Sequence, residues 1–473
     1  MTPWLRWMPL LATLASLGGS PARLPAQSPP DTVEAILQLH NTLARHAARL
    51  AVIWPSFRPD TLSVLYVIPG IAKLLTPWPD PPPAGMTALA PGGGAWSGRG
   101  SVSFPRGRPI GFLSVDSTAS PALVLGTAVH EAFHSFELTR QGPDRRFGAG
   151  ENSMLVMSYP VFDAENLALL ARESTLLHRA ATAKSAAEAK REAREFLAVR
   201  RARQARLTPE MVEFERRAEL HEGLAQYTLV RSLALLAMLE PTLAEGARRE
   251  IRNEQTQLDS VLTVGPRSIR RHYYASGAAI GLLLDRLSDP GWKERIEAGD
   301  EWLEDELVRV VGPVPAVTAP LPTSLRLAAA FAVDSLRAHR QTQLDSLLGR
   351  SGIRLTLTQP RPGMLQPCGF DPQNTLQVTP GRLLHTRFLR LCADSGTSAE
   401  FDRPVLEDQP AASFVTGLDA DDSLVIAVSG ESIPSPAGAR EVTNLTVHGP
   451  GVELRAAHAV LVGGPGRLMV IPY

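Results

Sequence analysis

Cysteine is almost absent from this chain: Cys368 and Cys392 are the only two in 473 residues. Neither lies near a histidine in sequence, so a zinc site built on them is not expected. Net charge is absent as well. The 48 Lys and Arg residues balance the 48 Asp and Glu residues, and the charged runs mix both signs. This removes the electrostatic footprint of a nucleic-acid binder or of a protein held on an acidic membrane surface. No repeat of fixed period is present. Long apolar runs are missing too, apart from a short one, Trp7 to Leu17, that follows Arg6. It is too short for a membrane span. With the Gly-, Ser- and Pro-containing stretch and the small residues near Ala26-Gln27, it reads as a secretory signal over residues 1–26. The segment has no cysteine, so it carries no bacterial lipid anchor. The expected chain is exported, periplasmic or secreted, with no stable membrane span once the signal is cleaved. In that setting Cys368 and Cys392 are expected to form a disulfide, closing a loop of about 25 residues and contributing about 3 kcal/mol.

Against this background one short motif carries chemistry. His130-Glu131-Ala132-Phe133-His134 reads His-Glu-x-x-His inside an expected helix with Ser120 as N-cap, Pro121 at the first helical position and Gly142-Pro143 as the stop. At helical spacing the two imidazoles share one face and can hold a single divalent metal, most often zinc. Glu131 is then placed as the general base for a water in that site. The zinc proteases with three histidines place the third one six residues after the second. Here that residue is Arg140, which excludes that class. Glu137 continues the same face but lies roughly 10 Å along the axis from His130, so a surface or supporting role is expected for it.

A third ligand is sought in Glu219-Leu220-His221-Glu222-Gly223-Leu224-Ala225-Gln226-Tyr227, on a helix expected to start near Thr208-Pro209. Glu219, His221 and Glu222 are all capable ligands there. Glu-Gly-Leu-Ala-x-Tyr resembles the second zinc helix of gluzincin metallopeptidases, particularly the aminopeptidase N-like and glycyl aminopeptidase-like groups. On that resemblance Glu222 is the third ligand, with His221 and Glu219 as alternatives. Further along, His272-Tyr273-Tyr274-Ala275-Ser276-Gly277-Ala278 and the apolar run to Asp285 resemble the Tyr-x-x-Gly-Ala segment of the same enzymes. There the tyrosine donates a hydrogen bond to the oxyanion of the tetrahedral intermediate. The resemblance gives that role to Tyr274, with Tyr273 and His272 as alternatives. Gln226, one turn after Glu222, is expected to orient a ligand histidine by hydrogen bonding. The resemblance also suggests that an edge strand, Ile110 to Ser114, binds the substrate backbone by strand addition.

The order of these segments agrees with gluzincins, while their spacing does not. An Ala-, Arg- and Glu-rich block, about residues 160–207, intervenes. Its strong helix formers and opposite charges at i, i+3 and i+4 read as a solvated helical face, or as a lid over the cleft. The fold expected is α+β. A mainly helical gluzincin-like zinc peptidase domain over 27–350 has a small N-terminal β/α portion, and a C-terminal all-β sandwich or barrel follows over 351–473. In the first portion, 31–52 reads as a helix with a core face of Val33, Ile36, Leu37, Leu43 and Leu50. Residues 61–67 and 110–116 read as strands, and so do 353–357, 424–428, 442–447 and 459–462 in the last. His385, His448 and His458 are read as surface or strand residues. The expected activity is zinc-dependent hydrolysis of a peptide or protein substrate. A zinc hydrolase of other amides or esters, and a non-enzymatic exported binding protein with a structural zinc, remain alternatives. Gly92-Gly93-Gly94-Ala95-Trp96 is a poor match to the amine-binding motif of aminopeptidases, so removal of N-terminal residues is not the first expectation.

Overall fold

The computed structural model describes residues 29–83, 85–91, 99–102, 108–115, 119–142, 145–263, 269–287, 290–299, 301–315, 320–371, 374–393 and 396–473. The expected secretory signal and Gly92 to Trp96 lie outside these residues. The chain divides into two compact units, Met1–Ser135 with Arg231–Glu250, and Phe136–Val230 with Ile251–Tyr473.

The first unit opens with helices α1 (Pro29–Arg45) and α2 (Ala47–Leu50). Ile36, Leu43 and Leu50 are buried as the periodicity requires, and His40 joins them on the same face. A sheet follows, made of β1 (Val64–Ile68), β2 (Ala72–Thr76), β3 (Leu89–Pro91), β4 (Arg99–Val102) and β5 (Ile110–Ser114), in the order β3-β2-β1-β5-β4. The β1 and β5 strands run parallel, and every β1 residue is buried, as a strand covered on both faces requires. Here one expectation is corrected. The β5 strand is not an edge, because β1 pairs with one side of it and β4 with the other. Its ladder positions are already used, and β4 is the outer strand. After β5 comes α3 (Pro121–Thr139). Ser120 caps it, accepting from the Leu123 N–H at 3.2 Å, and Pro121 supplies a preset φ at the first position. Trp54 and Phe57 pack edge-on against Phe133, with centroids 5.3 and 5.1 Å away. Gly111 lets β5 approach α3, since a Cβ there would stand 2.8 Å from the Glu131 backbone.

The second unit contains a helical array: α4 (Ala164–Thr182), α5 (Ala186–Gln204), α6 (Pro209–Ala218), the start of α7 (Leu224–Leu239), the end of α8 (Ala244–Asp259), α9 (Ile269–Arg286), α10 (Trp292–Ala298), α11 (Leu303–Val311) and α12 (Thr323–Leu348). Asp163, Ser185 and Thr208 cap α4, α5 and α6 through their side chains. The charged block before Thr208 departs from its expected character. Its two helices lie side by side, and a stripe along α5, Ala189, Ala193, Phe196, Leu197, Arg200 and Arg203, is buried. The charges expected to face solvent therefore include two that face inward.

After α12 the chain forms a large sheet that curls into a nearly closed barrel. The first strand, Arg354–Thr358, pairs parallel with the last, Arg467–Pro472, and antiparallel with Ser413–Gly417. A long hairpin, Ala439–Gly449 and Val452–Gly464, continues from the last strand. Leu355, Leu357, Leu389, Phe401, Phe414, Leu454, Leu461 and Val470 fill the core. His385 is a buried strand residue, bonded to Thr375 at 3.2 Å and Glu407 at 3.0 Å. A disulfide joins Cys368 to Cys392, as expected.

No described helix is long and apolar enough to cross a membrane.

Two measurements test these features. Reducing the disulfide, or replacing Cys392→Ser, is expected to lower the unfolding free energy by about 3 kcal/mol, because the bridge closes a loop of sequence separation 24. The second concerns His40, which bonds the Tyr66 hydroxyl at 2.8 Å. Burial holds its pKa down at about 4, with Asp60 opposing weakly, against an unfolded value of 6.5. The unfolded chain therefore takes up a proton that the folded chain refuses. Stability is full above pH 6.5 and declines as pH falls toward 4. In urea titrations across that window the wild type should lose roughly 3 kcal/mol more than His40→Gln.

Candidate metal centre

His130 and His134 stand one turn apart on α3, both buried, with their Nε2 atoms 3.1 Å apart. Their rings are nearly perpendicular, at 86°. Two nitrogens each about 2.0 Å from a tetrahedral zinc stand roughly 3.3 Å apart, so this pair has the spread of a chelating set. Ligand atoms of His130, His134 and Glu222 all lie within 4.8 Å of one another, and all three residues are buried. Two neutral imidazoles and one carboxylate are the donor chemistry of a catalytic zinc site, and the set fits a divalent metal. Glu131 is also buried. It belongs to the same helix turn that carries the two histidines.

Glu222 does not sit on a regular helix. Residues Glu219–Gly223 form a π turn spliced between α6 and α7. Such a turn inserts one residue into an α-helix and is disfavoured unless its surroundings hold it. Two sets of contacts do so. The Arg200 guanidinium grips Glu219 through two bonds of 2.8 and 2.7 Å, and the Ser276 hydroxyl of α9 donates to the same carboxylate at 2.5 Å. Behind the turn, α9 makes a glycine-on-glycine approach. A Cβ on Gly223 would lie 2.6 Å from the Gly277 Cα, and one on Gly277 would lie 2.5 Å from the Glu219 carbonyl oxygen. Only hydrogen fits at both positions.

Arg200 belongs to a buried network. Its Nε donates to Glu173 at 3.2 Å, and Arg203 bonds Glu173 at 2.5 Å and Glu215 at 2.5 and 2.8 Å. Tyr159 donates to Glu215 at 2.6 Å, and its oxygen stands 3.0 Å from that of Tyr273. Burial would raise the Glu215 pKa, but the fork of Arg203 more than offsets this and holds it at about 2. Burial disfavours charge on Arg200, yet Glu219 and Glu173 keep its pKa above the ordinary arginine value.

This network sorts the sequence candidates. Glu219 is held by Arg200 and Ser276, and Tyr273 by Tyr159. His272 is buried, and burial with Arg203 and Arg200 nearby holds its pKa down at about 3, so it is neutral at ordinary pH. Tyr274 has a different setting. Its oxygen accepts from Arg270 Nη1 at 2.9 Å, so its own proton is directed elsewhere. Arg270 also donates to Glu222 and to Glu151. A single planar guanidinium thus ties the candidate third ligand to the candidate hydroxyl donor. Burial opposes the charge of Arg270, while Glu222, Tyr274 and Glu151 hold its pKa above the ordinary value. Burial raises the Glu151 pKa, with Arg270 opposing. Gln226 is buried one turn after Glu222.

Glu137 is buried rather than on the surface, and its carboxylate lies 2.8 Å from His221 Nδ1. The residues His134, Glu137 and His221 form a second set whose ligand atoms lie within 4.8 Å of one another. Both sets draw on His134. Sequence reasoning misses Arg270, Arg200 and Glu151. For Arg270 a signal exists, since it lies one turn before Tyr274 on the same helix; for Glu151, in a loop, none does.

No family model, no curated protein and no solved structure matches this chain.

Substituting Gly277→Ala should force the π turn away from α9, costing roughly 1–3 kcal/mol of stability and weakening metal binding. Thermal melts followed by circular dichroism, with zinc titration of the folded fraction, would check both effects.

Proposed function

We propose that this chain is an exported zinc-dependent hydrolase of peptide bonds, in the manner of the gluzincin metallopeptidases. The observation that carries the reading is the convergence of His130, His134 and Glu222, three buried side chains able to ligate a metal, with Glu131 buried on the same helix as the two histidines. A structural metal site has no use for such a carboxylate. A divalent metal in this set would supply Lewis acidity and bring the pKa of water toward neutrality.

The chain's own residues do the rest. Glu131 takes the proton of the attacking water and returns it to the leaving amine. Tyr274 donates a hydrogen bond from its hydroxyl to the oxyanion that develops on the scissile carbonyl, and Arg270, bonded to the phenol oxygen, sets the direction of that bond. The same guanidinium fixes the carboxylate of Glu222, so ligand and hydroxyl donor are held in one orientation. A hydrolase acting on other amides or esters would use these groups in the same way, and cleavage of mixed peptides against small amides separates the two.

The pairing of His221 with Glu137 supports a second reading, a structural metal held by His134, Glu137 and His221. Substitutions distinguish the two. On the first reading Glu222→Gln lowers zinc affinity by roughly 10- to 100-fold or more, whereas Glu137→Gln changes it little. The Glu131→Gln variant keeps one equivalent of zinc and loses hydrolysis by about 100-fold or more. Metal content by mass spectrometry and peptide cleavage assays read these outcomes. A purified wild type that holds no zinc, or undiminished cleavage by Glu131→Gln, would overturn the proposal.

A further inference from the structure

The second unit holds a cavity of about 500 Å³ whose lining includes Arg146, Gln204, Val212, Arg216, Arg217 and Trp302. None of these residues has a part in the metal centre. The guanidinium of Arg146 stacks over the Trp302 ring, 4.3 Å from its centroid, and that of Arg216 lies 5.9 Å from the same centroid. Trp302 and Gln204 are both buried, so the stacking surface and one polar wall are set by the core. Gln204 is fixed by donating to Glu215 at 3.3 Å.

The charges do not balance. Arg217 is satisfied by Glu213, which also lines the cavity, at 2.7 Å. Arg216 reaches Glu304 at 3.1 Å through one terminal nitrogen, while its Nε is buried with no hydrogen-bond partner among the described residues. Arg146 has no carboxylate partner among the described residues. Among the described residues, three guanidinium groups therefore face two carboxylates. A guanidinium laid on an indole gives up hydration on that face and keeps its donors in plane, arranged to grip an oxyanion through two parallel bonds. Val212 and the Trp302 ring add an apolar wall, and the volume falls in the range of small-molecule sites.

We propose that this cavity binds a small amphipathic anion, a carboxylate or phosphate monoester joined to an apolar body. Arg146 and Arg216 hold the oxyanion, and Trp302 and Val212 pack against the body. The site is independent of the metal-centre reading and stands or falls without it.

Calorimetric titration of the full chain with 3-phenylpropionate, phenyl phosphate and inorganic phosphate tests the proposal. At least one aryl anion should bind saturably with a Kd of about 1 mM or below, more tightly than inorganic phosphate. The tighter of the two aryl anions identifies the oxyanion. Arg146→Gln should weaken binding about tenfold or more, and Arg146→Lys should weaken it as well, because a point charge does not replace the fork. Arg146 is half-exposed in a loop, so both variants should fold, which far-UV circular dichroism confirms. No saturable heat with any probe, or unchanged affinity in Arg146→Gln, would sink the proposal. Inorganic phosphate binding as tightly as phenyl phosphate would remove the apolar body from it.

Discussion

The bidentate ion pair between Arg200 and Glu219 holds together features that lie far apart in sequence. Arg200 comes from α5, in the charged block that follows the histidine motif, and Glu219 begins the π turn that carries Glu222. A π turn gains no stability of its own relative to the α-helix it interrupts. It persists here because Glu219 is clamped at one end and Gly223 is pressed against Gly277 at the other. Glu222 lies between those two anchors. Its direction follows from theirs.

Such an arrangement is expensive in isolation. Arg200, Arg203, Glu173, Glu215 and Glu219 are all buried, and removing charges from water costs several kcal/mol per ion unless each is paired and hydrogen-bonded. The network meets that condition through forked guanidinium contacts and the hydroxyls of Tyr159 and Ser276. A buried pair of this kind adds little net stability over an apolar core of equal volume. Its contribution is geometric, since deleting any one partner strands another and so discourages other packings. The charged block is thus part of the frame behind the candidate ligand. Arg270 extends the same logic to the front of the centre, where one rigid fork relates Glu222 to Tyr274.

Much of the centre is legible in the sequence because helical periodicity is local. His130 and His134 must share a face whatever surrounds them, and Ser120-Pro121 marks the helix start by its own hydrogen bonding and φ. Some of the barrel strands, those at 353–357, 424–428, 442–447 and 459–462, are legible for the same reason, from short β-rich runs between turn residues. The pairing of β5 is not, because strand partners are not local. Whether β5 has one neighbour or two depends on the return of β4. The burial of Glu137 is hidden as well: its distance along the helix from His130 can be counted, while the imidazole its carboxylate meets, His221, lies on another element. The α5 arginines read as solvent-facing because an alternating-charge helix looks the same whether or not its partners are buried.

The sequence by itself determined the chemistry on offer: two imidazoles at one-turn spacing with a carboxylate between them, a distant Glu-Gly-Leu-Ala segment, and a cysteine pair in the last quarter. Backbone periodicity suffices for the histidine pair, because it acts over a few residues, whereas the Glu-Gly-Leu-Ala segment is picked out by its resemblance to gluzincins and the cysteine pair by composition. Tertiary structure alone decided that Glu219 is taken up by Arg200 and Ser276 while Glu222 and His221 each fall in a cluster with His134, which tyrosine is left for Arg270, and which arginines lie inside. Those choices turn on a one-residue π insertion and on contacts between elements separated by tens of residues. Only the folded chain brings together the charges and close glycines that make that insertion the stable arrangement.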